Sequence, residues 1–326
     1  MTCAPHVYRG DDQRALGHKE VSQMASVVIT HDEQDIGKAI TDALRRIDTI
    51  ESLVRDKIVA VKPNETYADE EDQDGVTQPD TLRAVLRYVK QFSPRQLIVS
   101  GGAGAAETDD VFRIVGLMDV VEEEGATFFD HNRAPFQEIE LSYAPDKDVQ
   151  GPQRSVMVNP RVLEYQTLIV VSQLKVHATA TVTMALKNIA MSYPAADYYG
   201  HPRGNEEYHH HDFFEDMHSF IAAMFRRFPI DLAITVGHPA MIGRGPLGGY
   251  AFETGLCLAS TDALACDVAS AKLLGFSADA VHHLWEAGRL GLGETDTENM
   301  DFPALSLKEA MGIFSQAAYG KRIALK

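Results

Sequence analysis

Short, uninterrupted apolar runs separated by helical patterns constrain this chain more than any other feature. IVAV at 58–61, LIV at 97–99, LIVV at 168–171 and LAITV at 232–236 are too short for buried helices and lack the alternation of a half-solvated strand. Such runs suit strands covered on both faces, as in a largely parallel sheet. Between them lie helical patterns near 35–48, 80–92 and 109–124, and further strands at 26–30, 57–61, 96–100 and 126–130. That rhythm predicts βαβ units and an α/β fold, a mostly parallel sheet flanked by helices, Rossmann-like in the broad sense.

From residue 132 to 165 the pattern shortens to EIELSY and SVMVN around a polar stretch, which predicts a hairpin or an excursion between two lobes. A second α/β stretch follows, with strands at 168–172, 232–236 and 255–260, and helices after Ala178, near 264–274 and near 279–288. Residues 1–25 read as an N-terminal arm, and 26–326 as an α/β unit with a break near 133–165.

Composition narrows the function classes. Asp and Glu number 47 against 30 Lys and Arg, a net charge of −17, and that field repels phosphate backbones, so no nucleic-acid partner is expected. Cys3, Cys257 and Cys266 have no C-x-x-C spacing, which gives no basis for disulfides, a zinc ribbon or an iron–sulfur cluster. No apolar leader or membrane-length run is present, so the expected place is the cytoplasm, without membrane association.

In open parallel sheets ligands bind beyond the carboxyl ends of strands, so the residues after each apolar run are the candidates. Lys62-Pro63-Asn64 follows the first run, Gly101-Gly102-Ala103-Gly104 the second, Leu174-Lys175-Val176-His177 the third, and GHPAMIGRGPLGG the fourth. The third is the richest. Lys175 and His177, two apart on a strand, point the same way. A helix after Ala178 would set Thr183 and Lys187 one turn apart, and Thr181 and Asn188 two turns apart, beside a stripe of Val182, Leu186 and Ile189. Helix N-terminal amides near Thr179 would add an anion site. Arg244, between Gly243 and Gly245, is placed to clamp a carboxylate or phosphate.

These motifs resemble a bacterial and archaeal family of unknown function marked by K-P-N, L-K-x-H with A-L-K-N after it, a G-x-G-P loop and an S-x-D-x-x-A-x-D helix start. The matching positions are Lys62 to Asn64; Leu174, Lys175 and His177; Ala185 to Asn188; Gly243, Gly245 and Pro246; and Ser260, Asp262, Ala265 and Asp267, so the resemblance runs from about 57 to 295. Some members are fused to a ferredoxin-type iron–sulfur module, whose cysteines are absent here, and Val236 stands where the family usually carries aspartate. The segment from Lys175 to Asn188 is also similar to the lactate-racemase family, whose nickel-pincer nucleotide is attached to a lysine near catalytic histidines. That similarity implies proton or hydride chemistry on a small acid, with Lys and His as base, acid or cofactor anchor.

A divalent metal is a further candidate cofactor. If a helix begins by His211, then His211, Glu215 and His218 share one face, two histidines and a carboxylate. The opposing reading is a solvated face, since the stripe Phe214, Met217, Ile221 and Met224 lies elsewhere. GAGAAE and GRGPLGG meet neither the dinucleotide nor the P-loop pattern. Ser260 reads as a helix cap with Asp262 in the first turn, and the acidic stretch 69–74 as a solvated loop. The resulting expectation is an enzyme acting on a small anionic metabolite, with Lys175, His177 and Lys187 as catalytic residues and Lys62, Asn64, Asn188, Thr183, Gly243, Arg244 and Gly245 binding it. The alternatives are a non-catalytic binder of an anion, metal or cofactor, and a redox-partner protein.

Overall fold

The computed structural model describes residues 24–147, 154–203 and 216–321. Its strands are β1 (Ala25–Ser26), β2 (Val28–His31), β3 (Ile58–Lys62), β4 (Gln96–Gly101), β5 (Thr127–Asp130), β6 (Gln137–Glu140), β7 (Ser155–Val158), β8 (Thr167–His177), β9 (Thr181–Val182), β10 (Leu232–Ile242), β11 (Tyr250–Phe252), β12 (Leu256–Ser260) and β13 (Met300–Asp301). Its helices are α1 (Ile36–Leu44), α2 (Ile50–Val54), α3 (Pro79–Lys90), α4 (Thr108–Val115), α5 (Leu117–Glu123), α6 (Met184–Ser192), α7 (Ala196–Tyr199), α8 (Met217–Arg227), α9 (Ala263–Leu273), α10 (His282–Arg289) and α11 (Leu307–Tyr319).

The main sheet runs β2-β12-β10-β8-β3-β4-β5, with β11 paired to β10 and β9 to β8. Strands β10, β8, β3, β4 and β5 are mutually parallel, while β12 runs antiparallel to β10 and β2 antiparallel to β12. The continuous apolar runs are explained by burial on both faces. Along β8, Leu168, Val170 and Leu174 enter one core layer, whereas Ile169 and Val171 enter the other. The first layer lies under α6, α8, α9 and α10, and the second under α1, α3, α4 and α5.

The helix expected over 109–124 is two helices, because Gly116 takes φ 83° and ends α4 by the left-handed route. EIELSY and SVMVN form the antiparallel pair β6 and β7. Strand β8 continues past the apolar run to His177, and β10 to Ile242. Among the described residues no helix is long and apolar enough to cross a membrane.

The topology brings two polar strand ends together. From β3 the chain passes to β4 and β5 on one side, and from β8 to β10 on the other, so β3 and β8 meet at a reversal of strand order. A crevice opens beyond the carboxyl ends at such a point. Those ends carry Lys62 and Lys175 to His177.

Candidate functional site

Alternation along β3 sends Lys62 to the face covered by α6, the same face as Ala60. There its ammonium pairs with the Glu65 carboxylate, at 2.6 Å to Oε2, and donates to Asn188 Oδ1 at 3.1 Å. Burial pulls the lysine down to about 8, and Glu65 opposes the fall. Glu65 in turn accepts the Gly102 amide at 2.8 Å, and Asn188 Nδ2 reaches the Pro63 carbonyl at 3.2 Å. Lys62 and Asn188 are thus partnered side chains that fasten β3, the glycine loop after β4 and helix α6 together.

Two residues that sequence reasoning passed over complete this fastening. Arg203 is buried and donates to the carbonyls of Met191 at 2.6 Å, Gly102 at 3.0 Å and Ser192 at 3.0 Å, and to Asn132 Oδ1. His131 Nε2 meets the Ser192 carbonyl at 3.0 Å and its Nδ1 meets Ser100 Oγ at 2.9 Å, so the ring is held between fixed partners. Burial, then the charges of Lys62 and Arg203, keep it well below the usual imidazole range. A Cβ on Gly102 would fall 2.0 Å from His131 Nε2, which is the physical reason for glycine in the GGAG loop.

The expected helix start is different in the structure. Residues 181–182 form β9, not helix, and α6 begins at Met184, with Thr183 in the N-cap position. Thr181 and Asn188 therefore do not share a helix face. The anion site expected from free amides near Thr179 is also corrected. The amides of Thr179 and Ala180 both donate to His177 Nδ1 at 3.1 Å, and those of Ala185 and Leu186 go to the buried Asp267 carboxylate at 3.0 and 2.9 Å. The helix cap of α9 is Asp262, whose side chain accepts from Ala265, while Ser260 Oγ accepts the Asp262 amide.

Two lysines remain without carboxylate partners. Lys175 is 1% exposed, donates to the Gly75 carbonyl, and falls to about 7 through burial and then the charge of Lys187. Lys187 is 7% exposed, has no hydrogen-bond or ion-pair partner among the described residues, and falls to about 8 through burial alone. Beside it a recess of about 20 Å³, room for one water-sized group, is lined by Asn64, Thr183, Lys187, Asn188 and the Gly102–Gly104 loop among others. Asn64 Oδ1 and Thr183 Oγ1 are buried there without partners among the described residues. Because both His177 Nδ1 contacts are amide donors, its proton lies on Nε2, and burial with the charges of Lys187 and Lys175 holds it down to about 2. His177 is thereby held neutral, with its Nε2–H as a hydrogen-bond donor.

The G-x-G-P loop packs on the same strand end. A Cβ on Gly245 would meet the Val176 carbonyl at 2.0 Å, and the Gly245 carbonyl accepts the Ala178 amide at 2.9 Å. Gly243 sits at φ 80° and Arg244 is exposed, with no ion pair among the described residues. Of the expected metal triad, His211 and Glu215 lie outside the described residues, as does the N-terminal arm to residue 23. His218 is described, and its Nδ1 lies 3.1 Å from His283 Nδ1. Among the described residues no group of three or more His, Cys, Asp or Glu side chains is arranged to hold a metal. Cys257 and Cys266 are buried free thiols.

Comparison with known proteins adds the following. A family model described as Domain of unknown function (DUF362) matches residues 59–272. The chain is 24% identical over 255 residues to the thylakoid-associated protein sll1697 of Synechocystis sp. (strain ATCC 27184 / PCC 6803 / Kazusa), a match covering 75% of this chain and 71% of that protein. Among solved structures it is similar to the lactate racemase apoprotein from Thermoanaerobacterium thermosaccharolyticum, at 13% identity and a TM-score of 0.41. That match covers 69% of this chain and 53% of the racemase, so the chain spans about half of that protein's length.

Proposed function

The chain belongs to the family described as Domain of unknown function (DUF362), and from that premise we propose an enzyme that binds the anionic group of a small metabolite at the β3/β8 switch point and moves a proton on it. The observation that carries this reading is Lys187. A buried cation without a counter-charge is costly, and proteins keep one where a ligand supplies the charge. The Asn64 and Thr183 oxygens beside it, unpartnered among the described residues, add polar groups with unmet hydrogen bonds.

The two lysines divide the work by their environments. Lys187, at about 8, stays mostly charged at neutral pH and anchors the anion, while Lys175, at about 7, is close to half neutral and accepts the proton. The Nε2–H of His177 donates to the oxygen on which charge builds. Lys62, paired with Glu65, and Asn188 position this group.

A panel of small carboxylates and phosphate monoesters incubated with the protein in deuterium oxide tests the proposal, with carbon-bound deuterium read by mass spectrometry. The expected outcome is exchange into at least one compound, lost in Lys175→Ala while that compound still binds. Binding with no exchange anywhere in the panel would leave an anion carrier and refute the enzyme.

A further inference from the structure

Lys175 is shut off from the recess beside Lys187. It is 1% exposed, and among the described residues it forms no part of that recess's lining. A ligand that reaches both lysines therefore needs a second opening, and the cover over Lys175 shows where it lies. On one side is the acidic stretch 69–74, a folded turn in which Asp69 Oδ1 accepts the amides of Glu71 at 2.9 Å and Asp72 at 2.8 Å. This turn is seated on β8 by Gln173, which donates to the Asp74 carbonyl at 3.1 Å, and by Lys175 itself, which donates to the Gly75 carbonyl. On the other side is the tip of the G-x-G-P loop. The point from which a side chain at Gly75 would grow lies 2.9 Å from the Pro246 carbonyl oxygen, 3.0 Å from Leu247 Cδ2 and 3.8 Å from Lys175 Nζ. Glycine at 75 thus lets the tip close down over the lysine.

The two sides are fastened unequally. The turn carries its own internal bonds and two more to β8, whereas the tip is pinned at its base, where the Gly245 carbonyl accepts the Ala178 amide at 2.9 Å. Beyond that base, its hydrogen bond to the turn runs from the Gly248 amide to Asp72 Oδ2 at 3.3 Å, a long and exposed one. Pro246 has no amide to donate, and Gly248 sits at φ 65°. A short, partly exposed segment with so few bonds opens locally without unfolding the sheet beneath it.

We propose, resting on the anion-site reading above, that residues 246–249 are a flap over Lys175, which lifts from Gly75 to admit the ligand and is latched shut by the hydrogen bond from Gly248 to Asp72. With the flap down, Lys175 is dry and capped by the Gly75 carbonyl. With it up, a ligand can take the place of that carbonyl. Asp72 is a positioning residue, acting through the flap.

Pulse acetylation of the full-length protein at mildly alkaline pH, read lysine by lysine by mass spectrometry, tests this. Lys38, whose side chain is 58% exposed, reports the activity of the reagent, and Lys62, buried against Glu65, reports global unfolding. In wild type Lys175 is expected to react more slowly than Lys38 but at least about tenfold faster than Lys62, the mark of a local opening. Asp72→Ala removes the latch and Gly75→Ala sets a methyl group against the Pro246 carbonyl, so each should speed Lys175 by at least about fivefold and leave Lys62 unchanged. Asp72→Asn, which keeps an acceptor oxygen, should return towards wild type. Lys175 reacting only in step with Lys62, or at the wild-type rate in both alanine variants, overturns the flap. Should the variants fail to fold, hydrogen exchange in wild type gives the second reading: the amides of Leu247, Gly248 and Gly249 should exchange well before those of β8, and exchange in step with β8 overturns the flap too. These measurements use no ligand, so failure of the flap leaves the anion site standing, whereas failure of the anion site is read separately, from phosphate binding at Lys187.

Discussion

Lys62 and Glu65, three residues apart at the end of β3, form an ion pair whose side chains are 0% and 1% exposed. Such a pair is costly to half-remove, because the survivor becomes an uncompensated buried charge. Glu65→Gln is therefore expected to destabilise the fold by about 3–5 kcal/mol in a denaturant titration. The double variant Lys62→Met with Glu65→Leu should recover much of that loss. If the single variant unfolds at the wild-type denaturant concentration, the pair does not hold the site together.

Lys187 leads to the opposite expectation. It is buried like Lys62 but unpaired among the described residues, so Lys187→Met is expected to remove a cost rather than a partner, and the protein should gain about 1 kcal/mol while losing anion binding. A fall in melting temperature would mean that Lys187 has a structural partner within the protein.

His238 is half-buried between Asp80 at 2.9 Å and Glu253 at 2.6 Å, and these carboxylates, Asp80 first, raise it from 6.5 to about 10. A raised folded-state value means that the contribution is fully present below the unfolded value and is lost as pH rises through the folded one. The difference in melting temperature between wild type and His238→Gln should be largest near pH 6 and shrink progressively towards pH 10. A difference that grows with pH contradicts the bridged geometry.

Thr181 adopts φ 66° in the two-residue strand beside the site. A β-branched residue there is strained by about 1–3 kcal/mol. Thr181→Gly should raise stability by about 1 kcal/mol, less the entropy that glycine adds to the unfolded chain. Chemical denaturation checks this, and a clear loss would show that the threonine side chain is needed where it lies.

The sheet was legible because strands such as Leu168–Val171 are buried on both faces and carry that burial in their composition. The strand end at which the topology reverses was legible too, since Lys175 and His177 close β8. Partnerships were not. Nothing local pairs Lys62 with Glu65 rather than with solvent, and Arg203 meets Gly102 and Asn132 across 101 and 71 residues. The start of α6 was misplaced because Asp267, 82 residues away, binds its first amides, and nothing near Ala178 signals that partner.

The most direct measurement of the central claim is calorimetric titration of inorganic phosphate into wild type and Lys187→Met at neutral pH. Saturable binding at one site in wild type, weakened at least tenfold in a Lys187→Met protein that is folded and no less stable, is the expected result. No binding in wild type, or equal binding by the two proteins, would contradict the claim that Lys187, buried and unpaired among the described residues, is kept to receive an anion.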